Sequence, residues 1–253
     1  SLTWNDKKGD DFSYGASLNI SKNKNEVTRI ANTEGIIHGA ENVLAQNTDE
    51  LYRVQVGYPM GYFWGYKTDG VIQNEADLKN YLDNHCGGSN ANSLQGAGIQ
   101  AGDLKFVDFN KDGKITKEDK TQIGDPNPHF NLGIGLNLSF RNFDFSLNAH
   151  GAFGMQIAKC YRHYSNMPDN NYCTDVYTKY WTGEGSTNRY PRFTDGKHAN
   201  MKEISDLWIE DADYLKISNI SLGYNFKKLW NNMPFENLRV YVSAQNLITL
   251  TGY

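Results

Sequence analysis

Five stretches of this chain alternate bulky apolar residues with small polar ones for about a dozen residues each, which restricts them to long strands with one apolar face. Phe12, Tyr14, Ala16, Leu18 and Ile20 alternate with Ser13, Gly15, Ser17, Asn19 and Ser21. Phe130, Leu132, Ile134, Leu136, Leu138 and Phe140 alternate with Asn131, Gly133, Gly135, Asn137 and Ser139. Phe143, Phe145, Leu147 and Ala149 oppose Asp144, Ser146, Asn148 and His150. The pattern places Lys216, Ser218, Ile220, Leu222, Tyr224 and Phe226 on one face, and Leu238, Val240, Val242 and Ala244 on another such face. Ordinary soluble strands run to about five or six residues. A tilted strand that crosses a bilayer needs about 9 to 11. Phe140 and Phe143 flank one turn, and Tyr224 and Phe226 end another strand, as in the aromatic girdle of a membrane barrel.

The connections alternate in length. Asn5 to Asp11 and Arg141-Asn142 read as short turns, and Lys227 to Asn237 as a modest connection. Between them lie two long segments, roughly Asn25 to Pro128 and Ala158 to Asp213. Short turns on one side and long loops on the other are the pattern of an outer-membrane barrel. The long segments have content of their own. Asn74 to Asn84 reads as a short amphipathic helix, Thr174 to Trp181 as another, and Arg53 to Gly57 as a local strand.

Aromatics make up 13% of the 253 residues and charged residues 21%, with 24 glycines, a blend that fits an all-β chain. The net charge of −4 gives no footprint for nucleic acid. Cys86, Cys160 and Cys173 have no zinc spacing, and their odd number argues for free thiols over a disulfide framework. No apolar run is long enough for a membrane helix, and no signal peptide opens the chain. The first residues read as the tail of a strand and the last stop in mid-pattern, as in a fragment.

Asp108-Phe-Asn110-Lys-Asp112-Gly113-Lys114-Ile115-Thr116-Lys-Glu-Asp119 reads as an EF-hand-like calcium loop. Oxygen side chains stand at positions one, three and five, glycine at six, and a carboxylate at twelve. Asp108, Asn110, Asp112, the carbonyl of Lys114, and Asp119 are the candidate metal ligands, with Thr116 direct or through water. Gly113 stands where the chain bends and a side chain would obstruct, and Ile115 is placed to pin the loop to a core. The oxygen donors suit Ca2+ in a structural role, with Mg2+ second because it demands a stricter octahedron.

Ordered markers bring in a resemblance. Gly57-Tyr-Pro59-Met-Gly61-Tyr-Phe63-Trp64-Gly65-Tyr66 leads to Asp69-Gly70-Val-Ile-Gln73. Ala101-Gly102-Asp103-Leu-Lys-Phe-Val-Asp108 and Ile123-Gly124-Asp125-Pro126-Asn-Pro128 follow. Tyr180-Trp181-Thr182, Tyr190-Pro191-Arg192, Asp213-Tyr214-Leu215-Lys216 and Gln245-Asn246-Leu247 complete the order. As a set they resemble the C-terminal part of the SusC/RagA family of TonB-dependent outer-membrane transporters. The resemblance implies a partial C-terminal segment of a transmembrane β-barrel over 1–253. It implies extracellular regions at about 25–128 and 158–212, with plug and final strand absent. It also implies a SusD-like surface lipoprotein as partner and contact with TonB through the absent N-terminal part. The implied cargo is an oligosaccharide or peptide, and the implied setting is the outer membrane of a Gram-negative, Bacteroidetes-like cell.

No motif of hydrolysis, phosphate binding or metal catalysis occurs, so an enzyme is not expected. Trp64, Trp181 and Trp208 lie in the long segments as candidate ligand platforms, with burial expected for at least two of them. A second reading stays open, a soluble β-sandwich carbohydrate-binding module with a structural calcium site, because one-sided strands also build sandwiches.

Overall fold

The computed structural model describes residues 1–44, 47–159, 174–194, 198–226 and 238–253. Cys160, Cys173 and the connection at 227–237 lie outside the described residues. In chain order the elements are β1 (Leu2–Lys8), β2 (Phe12–Lys22), β3 (Ile36–His38), β4 (Tyr52–Gln55), β5 (Tyr62–Gly65), β6 (Thr68–Val71) and α1 (Glu75–His85). There follow β7 (Leu104–Phe106), β8 (Thr121–Gly124), β9 (Phe130–Phe140), β10 (Phe143–Phe153) and β11 (Gln156–Ala158). The last are α2 (Thr174–Lys179), α3 (Ala199–Lys202), β12 (Ile209–Asp211), β13 (Tyr214–Asn225) and β14 (Arg239–Thr251). They fall into two compact units.

The first unit comprises Ser1–Lys24, Asn127–Met155 and Asp211–Tyr253. It is a six-stranded antiparallel sheet in the order β1-β2-β9-β10-β13-β14. The expected pairing of the last two long strands is met, with Leu222 opposite Val242 and Tyr224 opposite Val240. The sheet is open, and β1 and β14 are its edges. Because directly opposed residues share a face, the register can be read as rows. One row runs Trp4, Ala16, Leu136, Leu147, Ile220, Ala244. The row beside it on the other face runs Asn5, Gly15, Asn137, Ser146, Ser221, Ser243. One face is therefore largely apolar across all six strands, with Asp6, Lys8 and Lys22 near its ends, and the other is mostly polar.

Two sequence expectations need correction here. The segment Asn5–Asp11 is not all turn, because β1 runs on to Lys8 and the bend falls at Gly9, with φ +68. The strict alternation drawn along β13 also breaks at Ser218. Asn219 lies opposite Asn148, but Ile217 lies opposite Ala149, so Ser218 is the extra residue of a bulge. A bulge shifts the phase by one. Leu215 and Ile217 thereby join Ile220 and Leu222 on the apolar face, while Lys216 moves to the polar face opposite His150. A matching irregularity in β14, with Asn246 at φ +53, keeps Ile248 and Leu250 on the apolar side.

The second unit comprises Asn25–Pro126 and Gln156–Glu210. It is a folded body in its own right, with more structure than the two helices and one local strand expected of these segments. It holds a four-stranded sheet β3-β4-β5-β8, the pair β6-β7, and helix α1. Asn74 caps α1 by accepting from the amide of Asp77 at 3.0 Å, and Leu78, Tyr81 and Leu82 bury its inner face. They join Leu44, Leu51, Tyr66, Ile72, Leu104, Phe106, Met201 and Trp208 in one hydrophobic core. No residue of the six-stranded sheet belongs to that core among the described residues.

Candidate functional site

The loop from Asp108 to Asp119 leaves β7 and returns through a short 3-10 turn to β8. Ile115 is 6% exposed and packs into the core, pinning the loop as its position predicts. Gly113 has φ +81, which an L side chain adopts only with strain. A Cβ there would meet Gly87 no closer than 3.7 Å. The glycine is required by backbone conformation, therefore, and not by crowding.

The carboxylates of Asp108, Asp112 and Asp119 are met by backbone amides. Asp108 Oδ1 accepts from Lys111 at 2.7 Å and from Asp112 at 3.2 Å, and its Oδ2 accepts from Gly113 at 2.8 Å. Asn110 Oδ1 accepts from Asp112 at 2.9 Å, and Asp112 Oδ1 from Lys114 at 2.9 Å. Asp119 is fully buried, with Oδ1 accepting from Phe109 at 2.8 Å and Asn110 at 3.2 Å, and Oδ2 from Thr116 at 2.7 Å. Thr116 caps the turn by accepting from Glu118. The donor set is all oxygen, the chemistry calcium takes. Among the described residues no group of three or more His, Cys, Asp or Glu side chains is arranged to hold a metal ion. The loop as it stands is organised by amide–carboxylate bonds, and calcium here is a proposal.

The three tryptophans separate. Trp208 is 1% exposed within the core and offers no face to a ligand. Trp181 is half-buried against the same core, its indole N–H 3.4 Å from Gln73 Oε1. Gly102 lies so close to its ring that a Cβ there would come within 2.6 Å. Trp64 is half-buried, and the guanidinium of Arg53 stacks 3.7 Å over its ring.

Two arrangements were not legible in the sequence. Asp103, fully buried, accepts from Arg192 Nε at 2.7 Å, from Asn200 Nδ2 at 2.8 Å and from the Gln100 amide at 3.0 Å. Asn200 in turn accepts from the Leu104 amide at 3.1 Å. This ties the first long segment to the second. The other arrangement is a charged cleft between β3, β4, β5 and residues 117–120, lined by His38, Asp49, Arg53, Trp64, Lys117 and Lys120 among others. Glu50 and then Glu34, bonded to the two ring nitrogens of His38 at 3.0 and 3.1 Å, push that imidazole above its usual range. Burial works to raise the Glu50 carboxyl, but the bonds from His38 and Arg53 win and hold it below its ordinary value. Lys120, 2.7 Å away, holds Asp49 low in the same way.

A long-stranded antiparallel sheet with one largely apolar and one mostly polar face, and a separately folded body in its long connections, has the strand length and patterning of an outer-membrane β-barrel wall. No protein-family model matches the chain. TonB-dependent receptor P3 of Formosa agariphila is 27% identical over 245 residues, covering 96% of this chain and 23% of that protein. TonB-dependent receptor SusC of Bacteroides thetaiotaomicron is 22% identical over 261 residues, covering 96% of this chain and 22% of that protein. The RagAB peptide importer in its open-open state superposes with a TM-score of 0.64 at 16% identity, over 99% of this chain and 24% of that one. The chain spans about a quarter of the length of the curated relatives it matches. Over nearly its whole length the chain is similar in sequence to TonB-dependent receptors, SusC among them, and in fold to the RagAB importer.

Proposed function

We propose that this chain belongs to an outer-membrane nutrient transporter that imports oligosaccharides or peptides, with a SusD-like surface lipoprotein as partner and TonB as the source of energy. On this reading the six-stranded sheet is part of the barrel wall in a Gram-negative outer membrane, and 25–128 and 158–212 lie outside the cell. The observation that carries it is the long apolar face of the sheet, with charges near its two ends, Asp6 and Lys8 opposite Tyr14 and Phe12 and Lys22 opposite Phe130. Phe12, Phe140, Phe143 and Tyr224 form an aromatic row at its turn end, and Phe130 and Phe153 stack at the other, their rings 5.0 Å apart. Ten residue steps separate the rows, about 33 Å along a strand. Tilted by about 45°, that becomes roughly 23 Å, close to the ~25 Å apolar band of an outer-membrane barrel. Leu18, Ile20, Leu222, Val242 and Leu250 are exposed on this face. Lipid is the solvent in which such a face is stable.

The sandwich alternative needs a second long sheet packed over the apolar face. The other strands described are three or four residues long, too short to make such a sheet, which disfavours that reading. The loop at Asp108–Asp119 is proposed to take Ca2+ as a structural ion, on the strength of its spacing and all-oxygen donors.

Uptake tests the proposal. Cells that make the protein should accumulate a labelled oligosaccharide or peptide, and should lose that uptake on deletion of the gene or of TonB. Uptake that survives both deletions contradicts it.

A further inference from the structure

The charged cleft of the second unit, about 380 Å³ in volume, holds more donors than its own acceptors use. Glu50 is engaged by the Gly39 amide at 3.0 Å, by His38 at 3.0 Å, and by Nη2 of Arg53. Asp49 is engaged by Lys120 at 2.7 Å and Lys117 at 3.5 Å. On the donor side, Arg53 is 9% exposed, its Nε is buried with no hydrogen-bond partner, and Glu50 is its one acceptor among the described residues. Buried donors are nearly always met in folded proteins, so an idle one at a cleft wants an explanation. Lys120, with a side chain 5% exposed, spends one of its three N–H bonds on Asp49. Lys117 reaches over the rim, its side chain almost wholly exposed. Stacking on Trp64 fixes the plane of the Arg53 fork. Of the lining carboxylates, Glu41 alone has no ion pair among the described residues.

We propose that this cleft binds a carboxylate-bearing ligand beside Trp64, with the ammonium groups of Lys117 and Lys120 taking the carboxylate above the buried Arg53. Glu41 then accepts from a neighbouring hydroxyl or ammonium of the same ligand. Charge-assisted bonds from two cations are the strong kind; Asp49 gathers Lys120 and Lys117 at one side of the cleft, and Glu50 holds Arg53 beside Trp64. The chemistry has two sources, the uronic acid unit of an acidic oligosaccharide and the C-terminus of a peptide. Its role as cargo recognition rests on the transport function proposed above, whereas binding itself does not.

The experiment is calorimetry on the purified protein in detergent, with four probes: glucuronate, glucose, a dipeptide, and the same dipeptide as its C-terminal amide. One carboxylate should bind at least about tenfold more tightly than its neutral counterpart, the loss expected for one charge-assisted bond. Preference for glucuronate names the acidic sugar as source, and preference for the free dipeptide names the peptide end. Lys117→Ala, at an exposed position that folding does not need, should weaken the preferred probe by about tenfold with unchanged melting. Lys120→Met should weaken it further if it folds. Equal binding of each acid and its neutral partner overturns the proposal, as does full affinity in Lys117→Ala. Binding retained in a protein that supports no uptake would remove the transport reading and leave the cleft intact.

Discussion

Replacing Leu147 with lysine separates a lipid-facing sheet from any other. Leu147 lies in the row Trp4, Ala16, Leu136, Leu147, Ile220, Ala244, two rows in from the aromatic row of Phe143. Each row adds two residues, about 6.6 Å along the strand and roughly 5 Å along the membrane normal at a 45° tilt. Leu147 is therefore about 10 Å from the aromatic row in a band about 23 Å tall, close to the midplane. A lysine there should cost about 2–4 kcal/mol. Leu222, one row nearer the girdle, should cost about 1 kcal/mol on the same substitution, since the penalty falls to about 0–1 at the interface. Ser146→Lys on the opposite face should stay within about 0.5 kcal/mol. Urea titration of the protein folded into lipid vesicles reads all three, provided the slopes agree. Equal costs at Leu147 and Leu222 would refute the depth argument. A cost at Ser146 as large as that at Leu147 would refute the assignment of faces.

Further outcomes follow from the second unit. Asp112→Ala removes a single amide bond to Lys114, so it should leave the fold intact while lowering calcium affinity at least tenfold in calorimetry. Calcium should also protect Gly102 to Asp125 from protease, and no effect of calcium on either readout would retire the loop as a metal site. His38 is held above its unfolded value of about 6.5 by Glu50 and Glu34, so its stabilising contribution is complete below that pH and is lost as pH rises through the raised value. Amide exchange at Ile36–His38 should accelerate from about pH 6.5 upward beyond the intrinsic pH effect, and an unchanged ratio would contradict the assignment. Asp103→Ala leaves the partly buried Arg192 and the buried Asn200 without their acceptor and should destabilise this unit by about 3–5 kcal/mol, measured as loss of exchange protection at Leu104 and Phe106.

The long strands were legible because one-sided burial writes a period of two into the sequence over their whole length. The strand β9 was read at Phe130–Phe140 to the residue, and the start of β10 at Phe143. The bulge at Ser218 was not legible, since an inserted serine continues a polar-apolar alternation while reversing its phase. β1 was cut short because Asn5, Asp6, Lys7 and Lys8 carry turn-like composition, although they pair residue by residue with β2. The second unit was largely hidden. Its strands are three or four residues long, too short for periodicity to register. Its polar network joins Asp103 to residues 89 and 97 positions away, which no local pattern reports. Trp208 was one of three loop tryptophans, at least two of them expected to bury, but which ones was not legible: the turn at Asp206–Trp208 directs Leu207 and Trp208 into the core while Asp206 accepts from the hydroxyl of Thr68 at 2.6 Å. The spacing of the loop at Asp108 was legible, as was the burial of Ile115, whereas the amide bonds that occupy its carboxylates were not.

The two-faced sheet in a bilayer is measured most directly by spin labels placed one at a time at Asn137, Leu138, Ser146, Leu147, Ser221 and Leu222 in the protein reconstituted into vesicles. Oxygen, which concentrates in lipid, should relax the labels at Leu138, Leu147 and Leu222, and a water-soluble nickel chelate those at Asn137, Ser146 and Ser221. Alternation with a period of two that runs in phase across β9, β10 and β13 is the predicted result. Labels at Leu138, Leu147 and Leu222 that answer to nickel, or to neither reagent, would contradict it.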